Sequence, residues 1–386
     1  MHERIFTSES VTLGHPDKLC DQISDATVDA FLHQDAAARV VAECAISTGV
    51  LFIAARFAAD ASVDIPVLAR AVIADAGYVD DSFDARSCSI LTSFTQLDGE
   101  ERAHARKGDE PAHEQVNAFG YACRETPALM PLPIWLAHKL ARELDAARVR
   151  GARFLAPDGK TQVSVQYANG KPERIHSLTL IAATRDPSVK AATLEQAMRE
   201  LVIASAFRGE PLKPDASCKI HINPGGPYLI GGPAKHSGLT GRKTGIDTYG
   251  EYARQSGAAL SGKDPSRIDR VGAYAARHAA KNVVAAKLAE RCEVHLAYAI
   301  GEARPISVAV DTFGTARMDE AEIAARLEKT LDFRPAAIEQ RFGLRQRASA
   351  ADEKGFFRSL AVYGQVGRLD LDLPWERTDA ADALGK

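Results

Sequence analysis

The feature that most constrains this chain is an order of elements that recurs three times, a pair of short apolar strands followed by a helix. Arg39 to Phe57 reads as a hairpin turning at Ser47-Thr48-Gly49, with a helix expected over Ile65 to Ala76. Strands at Thr161 to Tyr167 and Ser177 to Ala183 precede a helix from Thr193 to about Ala206. Val294 to Ile300 and Ile306 to Thr312 precede one at Asp319 to Leu331. No sequence repeat lies behind the pattern, so it describes architecture: an α+β fold of three similar sheet-plus-helix units. A length of 386 residues supports the division, because single cores stop growing below that size. Three further helices are expected. One starts at Pro16 with Leu19, Ile23, Ala26 and Ala30 in phase, and one spans Leu132 to Arg148 with Leu136, Leu140 and Leu144 on a stripe. The third is Ala-rich, from Ser266 to Arg291. Short strands are expected near Cys88 to Phe94 and at Lys219 to Asn223.

Bulk properties remove several function classes. A net charge of -3 argues against a nucleic-acid-binding surface. No apolar run is long enough to span a bilayer, and the N-terminal residues lack the regions of a signal peptide. Six cysteines are scattered without a CxxC pair, which favours reduced thiols and a cytoplasmic protein.

The chemistry-bearing stretch is Gly238-Leu239-Thr240-Gly241-Arg242-Lys243, followed by Ser261-Gly262-Lys263-Asp264-Pro265-Ser266-Arg267-Ile268-Asp269. Glycines free backbone N–H groups to close on phosphate, Arg242, Lys243 and Lys263 offset its charge, and Asp264 and Asp269 suit magnesium. A turn and a solvated charged loop would read the same way. Upstream, His15, Asp17 and Lys18 gather at the start of the Pro16 helix, a natural place for phosphate and counter-ion. The plainer alternative is that His15 caps the helix and Asp17 complements its dipole. Leu97 to Gln115 is polar and without period, which suggests either an active-site lid or functionless disorder.

From end to end the chain resembles the S-adenosylmethionine synthetase family. The resemblance rests on Gly14-His15-Pro16-Asp17-Lys18, Asp21-Gln22-Ile23-Ser24-Asp25-Ala26, Phe119-Gly120-Tyr121-Ala122, Gly231-Gly232-Pro233, Gly238 to Lys243, Asp247-Thr248-Tyr249-Gly250 and Ser261 to Ser266, in that order. It implies three domains about a pseudo-threefold axis, at 1–100, 112–231 and 232–375, with a lid over 97–115. It also implies a homodimer or homotetramer with active sites at the dimer interface. The reaction implied joins ATP to methionine, the thioether sulfur displacing triphosphate from C5′, with two Mg2+ and one K+ assisting. The triphosphate is then hydrolysed to phosphate and diphosphate.

Carried over by position, His15 stands beside the breaking C5′–O bond, Asp17 and Asp269 at magnesium, and Glu43 at potassium. Asp158, Gly159, Lys160, Arg242, Lys243, Ala259 and Lys263 stand at ATP, and Lys263 also approaches methionine. Asp158-Gly159-Lys160 is read as a turn before its strand. Arg267 replaces the usual lysine, and its planar fork is not equivalent. The methionine shell departs further: Arg56 stands for a glutamate, His236 for an aspartate, Glu114 for an aspartate, and Gln96 for the lid glutamine. An ammonium deprived of two carboxylates loses about 1.5–3 kcal/mol for each charge-assisted bond. Three readings follow: a methionine adenosyltransferase with an altered shell, the same sulfonium chemistry on a deaminated or more anionic thioether, and a non-catalytic regulatory homologue.

Overall fold

The computed structural model describes residues 3–79, 83–97 and 110–386. Most of the expected lid, 98–109, lies outside the described residues. Three sheets carry the fold, in the orders β1-β6-β7-β8, β11-β10-β5 and β4-β3-β2-β9. Their strands are β1 (Glu3–Val11), β2 (Arg39–Ser47), β3 (Val50–Ala58), β4 (Ser89–Gln96), β5 (Val116–Cys123), β6 (Leu155–Ala168), β7 (Lys171–Thr184), β8 (Lys219–Ile222), β9 (Gly238–Leu239), β10 (Arg291–Tyr298) and β11 (Ser307–Asp311). The three expected strand pairs are β2–β3, β6–β7 and β10–β11, each antiparallel.

What closes each sheet is a strand lent by another part of the chain. β1, from the N-terminal third, pairs with β6 along its whole length. β5, from the unit expected at 112–231, pairs with β10, and β9, from the unit expected at 232–375, pairs with β2. The exchange is cyclic, so three similar units are tied together without a shared sheet. A long helix comes after each lent strand, the third behind a short helix at Thr244–Asp247: Pro16–Gln34, Leu132–Arg150 and Ile268–Ala285. The last of these packs on β5 at a distance only glycine permits. A Cβ on Gly120 would lie 1.9 Å from the Ala276 carbonyl carbon.

The Pro16–Gln34 helix holds the molecule together through a ladder of four carboxylates. Asp17, Asp21, Asp25 and Asp29 recur every four residues, lie on one face and are all buried. Leu239 N–H donates to Asp17 (3.0 Å), Gly241 N–H to Asp21 (2.8 Å) and Gly262 N–H to Asp25 (2.8 Å). Phe357 and Arg358 N–H donate to Asp29 at 3.0 and 2.8 Å. Each carboxylate thereby satisfies loop donors that burial would otherwise leave unpaired. No helix among the described residues is long and apolar enough to cross a membrane.

Two sequence expectations change here. Asp158-Gly159-Lys160 is not a turn: it lies inside β6, where a register irregularity between Leu155 and Gly159 leaves room for it. The glycine N–H groups of 238–243 and 261–263 are also not an open phosphate cradle, since those of Gly241 and Gly262 are bonded to aspartates.

Candidate active site

The expected site residues fall into two groups. The first surrounds the start of the Pro16–Gln34 helix. His15 is its N-cap, and His15 Nδ1 accepts from Asp17 N–H at 3.2 Å. That bond leaves the proton of a neutral ring on Nε2. Burial, helped by the charges of His236 and Lys160, outweighs Asp158 and Asp17 and lowers the His15 pKa to about 3. The loop before it is fixed from three sides. Thr12 bonds Gly159 and Pro157 carbonyls, Tyr78 Oη donates to the Gly14 carbonyl (2.5 Å), and Leu13 N–H donates to Asp145 (3.0 Å).

Beside His15 lies Asp158, 1% exposed. Its Oδ2 accepts from Tyr228 Oη (2.7 Å), Gly232 N–H (2.8 Å) and His236 Nε2 (2.8 Å), while Oδ1 has no partner. Burial opposes its charge, but the His236 bond and the nearby His15 hold the carboxyl below its ordinary pKa. The His15 and His236 rings lie 4.9 Å apart. Lys160 is exposed and paired in register with Val11.

Asp17 completes this group. Lys243 Nζ is 3.1 Å from its Oδ2 and Arg242 Nε 4.0 Å from its Oδ1. Gly241, on which Ala259 packs, carries the chain between Leu239 and Arg242. Lys18 sits one position along and is fully buried between Asp21, at 2.9 Å, and Asp247. Burial works against its charge, yet the two carboxylates keep it protonated.

The second group lies further along the same helix. The ladder rungs Asp17 and Asp25 are eight residues apart, about 12 Å of helix. Lys263 Nζ contacts Asp269 at 2.8 Å, and Arg267 contacts Glu114 at 3.5 Å. Arg270 secures the loop: it donates to Asp25 (2.5 Å) and to the Lys263 carbonyl (2.8 Å), with its guanidinium over the Phe357 ring. Asp264, read from sequence as a possible magnesium ligand, is consumed by Val40 and Ser266 N–H and by Arg345.

Lys263, Val41, Arg56 and Thr95 form one row across neighbouring strands, and Glu43 lies on the same face beside Ala54. Gln96 follows Thr95 in β4 and so points to the opposite face from Arg56. The outward face is apolar in its next rows. Leu239, Ala45, Phe52 and Leu91 align across all four strands, with Phe52 41% and Leu91 56% exposed. Among the described residues, no hydrogen bond or ion pair joins the two groups within one chain.

Sequence reasoning missed Asp21, Asp25, Asp145, Tyr78 and Tyr228, which touch the site only through the groups they hold. The spacing of the aspartates was the available signal for the first two. The tyrosines and Asp145 reach the site across long sequence separations and leave no local mark.

Comparison with known proteins agrees with this architecture. Three family models match: S-adenosylmethionine synthetase N-terminal domain over residues 3–98, central domain over 109–228 and C-terminal domain over 230–377. An S-adenosylmethionine synthase of Synechococcus sp. (strain JA-2-3B'a(2-13)) is 45% identical, covering 98% of this chain and 97% of that protein. Those of Acaryochloris marina (strain MBIC 11017) and Gloeothece citriformis (strain PCC 7424) are 43% and 45% identical, each covering 98% of this chain and 96% of theirs. With all three domain types present in order, and relatives matched over nearly their full length, the chain belongs to the S-adenosylmethionine synthetase family.

Proposed function

We propose that the chain is a methionine adenosyltransferase, forming S-adenosylmethionine from ATP and methionine with release of phosphate and diphosphate. The observation that carries this reading is His15, its Nδ1 accepting from Asp17 N–H, beside Asp158 and the Asp17–Arg242–Lys243 cluster, in a chain of this family. The methionine sulfur uses a lone pair to form the S–C5′ bond as the C5′–O bond breaks, and those electrons leave on the triphosphate. A weak neutral nucleophile depends on in-line placement, and the leaving group on positive charge. His15 Nε2–H donates to the departing oxygen without itself giving up a charge. Lys160, Arg242, Lys243 and Lys263 offset the triphosphate.

Asp17 suits a magnesium site because Mg2+ is commonly held by one or two carboxylates together with substrate phosphates, and Asp17 Oδ2 is met by the Lys243 side chain at 3.1 Å, a contact that a metal can replace. Mg2+ at Asp17 and at Asp269 would neutralise phosphate oxygens and hold the chain of phosphates in line. By the family resemblance, Glu43 would hold K+. The two groups of residues support a site shared between two copies, the first group from one subunit facing the second from its partner. The aligned apolar row Leu239–Ala45–Phe52–Leu91 supports the same face as the dimer contact, since exposed patches of this kind mark interfaces.

The relatives' names favour methionine as acceptor despite Arg56 and His236. Purified protein supplied with ATP, Mg2+, K+ and either methionine or a panel of deaminated thioethers tests this directly. Formation of S-adenosylmethionine is the expected result. Turnover confined to a deaminated thioether would overturn the acceptor, and no turnover with any thioether would overturn the activity.

A further inference from the structure

We propose that His15, Asp158 and His236 form a binding site for a borderline divalent cation such as Zn2+, distinct from the magnesium positions. One ligand atom from each of the three residues lies within 4.8 Å of the other two. Two imidazoles and a carboxylate are a donor set for Zn2+, Co2+ or Ni2+, whereas Mg2+ prefers oxygen alone. Tetrahedral coordination with metal–ligand distances near ~2.1 Å sets donor atoms roughly 3.4 Å apart. The three residues therefore need to move by about an ångström to close on an ion.

One feature of the cluster points to an occupant. Asp158 Oδ1 is buried and unpartnered, although the other oxygen of the same carboxylate accepts three bonds. A charged acceptor left so is costly unless something fills it. His236 Nε2 and Asp158 Oδ2 meet at 2.8 Å, so an ion would displace the proton that they share. Ion binding through His15 Nε2 would move the ring proton to Nδ1, which accepts from Asp17 N–H at 3.2 Å, so that helix cap is given up when the ion binds. His236 is 30% exposed at its side chain and sits in a loop, so it has freedom to adjust.

The family residue at position 236 is an acid by resemblance, so the site belongs to this chain's own substitution. Ion binding itself is independent of the activity proposed above. The further consequence, that Zn2+ occupies the His15 imidazole and stops adenosyl transfer, rests on that reading.

Full-length protein stripped with a chelator is titrated with Zn2+ by calorimetry and with Co2+ by visible absorption. One ion per chain is expected, with the intense Co2+ bands of a tetrahedral site. His236→Gln keeps a donor to Asp158 but supplies no imidazole, and should weaken binding roughly 100-fold, as should His15→Ala. Zn2+ should raise the unfolding temperature of the wild-type protein and not of either variant. Binding that is absent in the wild type, or unchanged in His236→Gln, would overturn the site. If binding follows the proposal but Zn2+-loaded protein turns over normally, the site stands and the role given to His15 fails.

Discussion

Removing Asp25 tests whether the carboxylate ladder positions the Lys263 loop. Asp25 is fully buried, accepts from Gly262 N–H at 2.8 Å and meets Arg270 at 2.5 Å. In Asp25→Ala the Arg270 guanidinium stays buried without its direct ion pair, keeping the Lys263 carbonyl, the Phe357 ring and the more distant Asp29 carboxylate. Breaking one side of a buried ion pair costs about 3–5 kcal/mol. The stranded Gly262 N–H adds about 1–3 kcal/mol if water does not reach it. A loss of at least about 4 kcal/mol is therefore expected in the first unfolding transition, measured by denaturant titration. Turnover should fall as Lys263 loses its anchor. The informative control is Asp25→Leu with Arg270→Met, which removes both charges at similar volume. Apolar replacement of a buried pair is often neutral, so stability should return to within about 1 kcal/mol of the wild type. Turnover should not return, because neither Gly262 N–H nor the Lys263 carbonyl regains its partner. If the double variant is both stable and fully active, the pair does not position the loop. If Asp25→Ala costs under about 1 kcal/mol, the buried-pair argument itself is wrong.

Other outcomes follow from the same geometry. Gly120→Ala places a Cβ 1.9 Å from the Ala276 backbone, so it should lower the yield of folded protein sharply, as read by circular dichroism after expression. Phe52→Glu puts a charge in the centre of the apolar row; sedimentation should show dissociation to monomers together with lost turnover, and an unchanged mass would remove this face as the contact. Burial pushes the Asp145 pKa up to about 6, against its bonds from Tyr363 and Leu13. Between about pH 4 and 6 the folded state then holds a proton the unfolded chain has lost, so stability should fall by up to about 3 kcal/mol as pH rises through that window and level off above it. Asp145→Asn should flatten that slope. Lys263→Ala should abolish tripolyphosphate hydrolysis in the presence of Mg2+ while leaving the fold intact.

Much of this protein was legible in its sequence because the relevant signals are local. Apolar alternation identified the three strand pairs, and helical phase identified the Pro16, Leu132 and Ser266 helices, because both patterns record which side of one element faces the core. His15, Asp17, Arg242, Lys243, Lys263 and Asp269 stood out as residue types at short spacing, whereas Glu43, Asp158, Lys160 and Ala259 came only from the family resemblance. The sequence did not yield the strands β1, β5 and β9, whose partners lie far away in the chain and whose exchange ties the thirds together. Nor did it distinguish a glycine that cradles phosphate from one whose N–H is bonded to an aspartate two hundred residues earlier. Asp264 looked like a metal ligand until its oxygens were found occupied, and Asp158-Gly159-Lys160 looked like a turn until it appeared within β6. A local pattern reports what a residue can do; only tertiary packing decides which of its hydrogen bonds are already made.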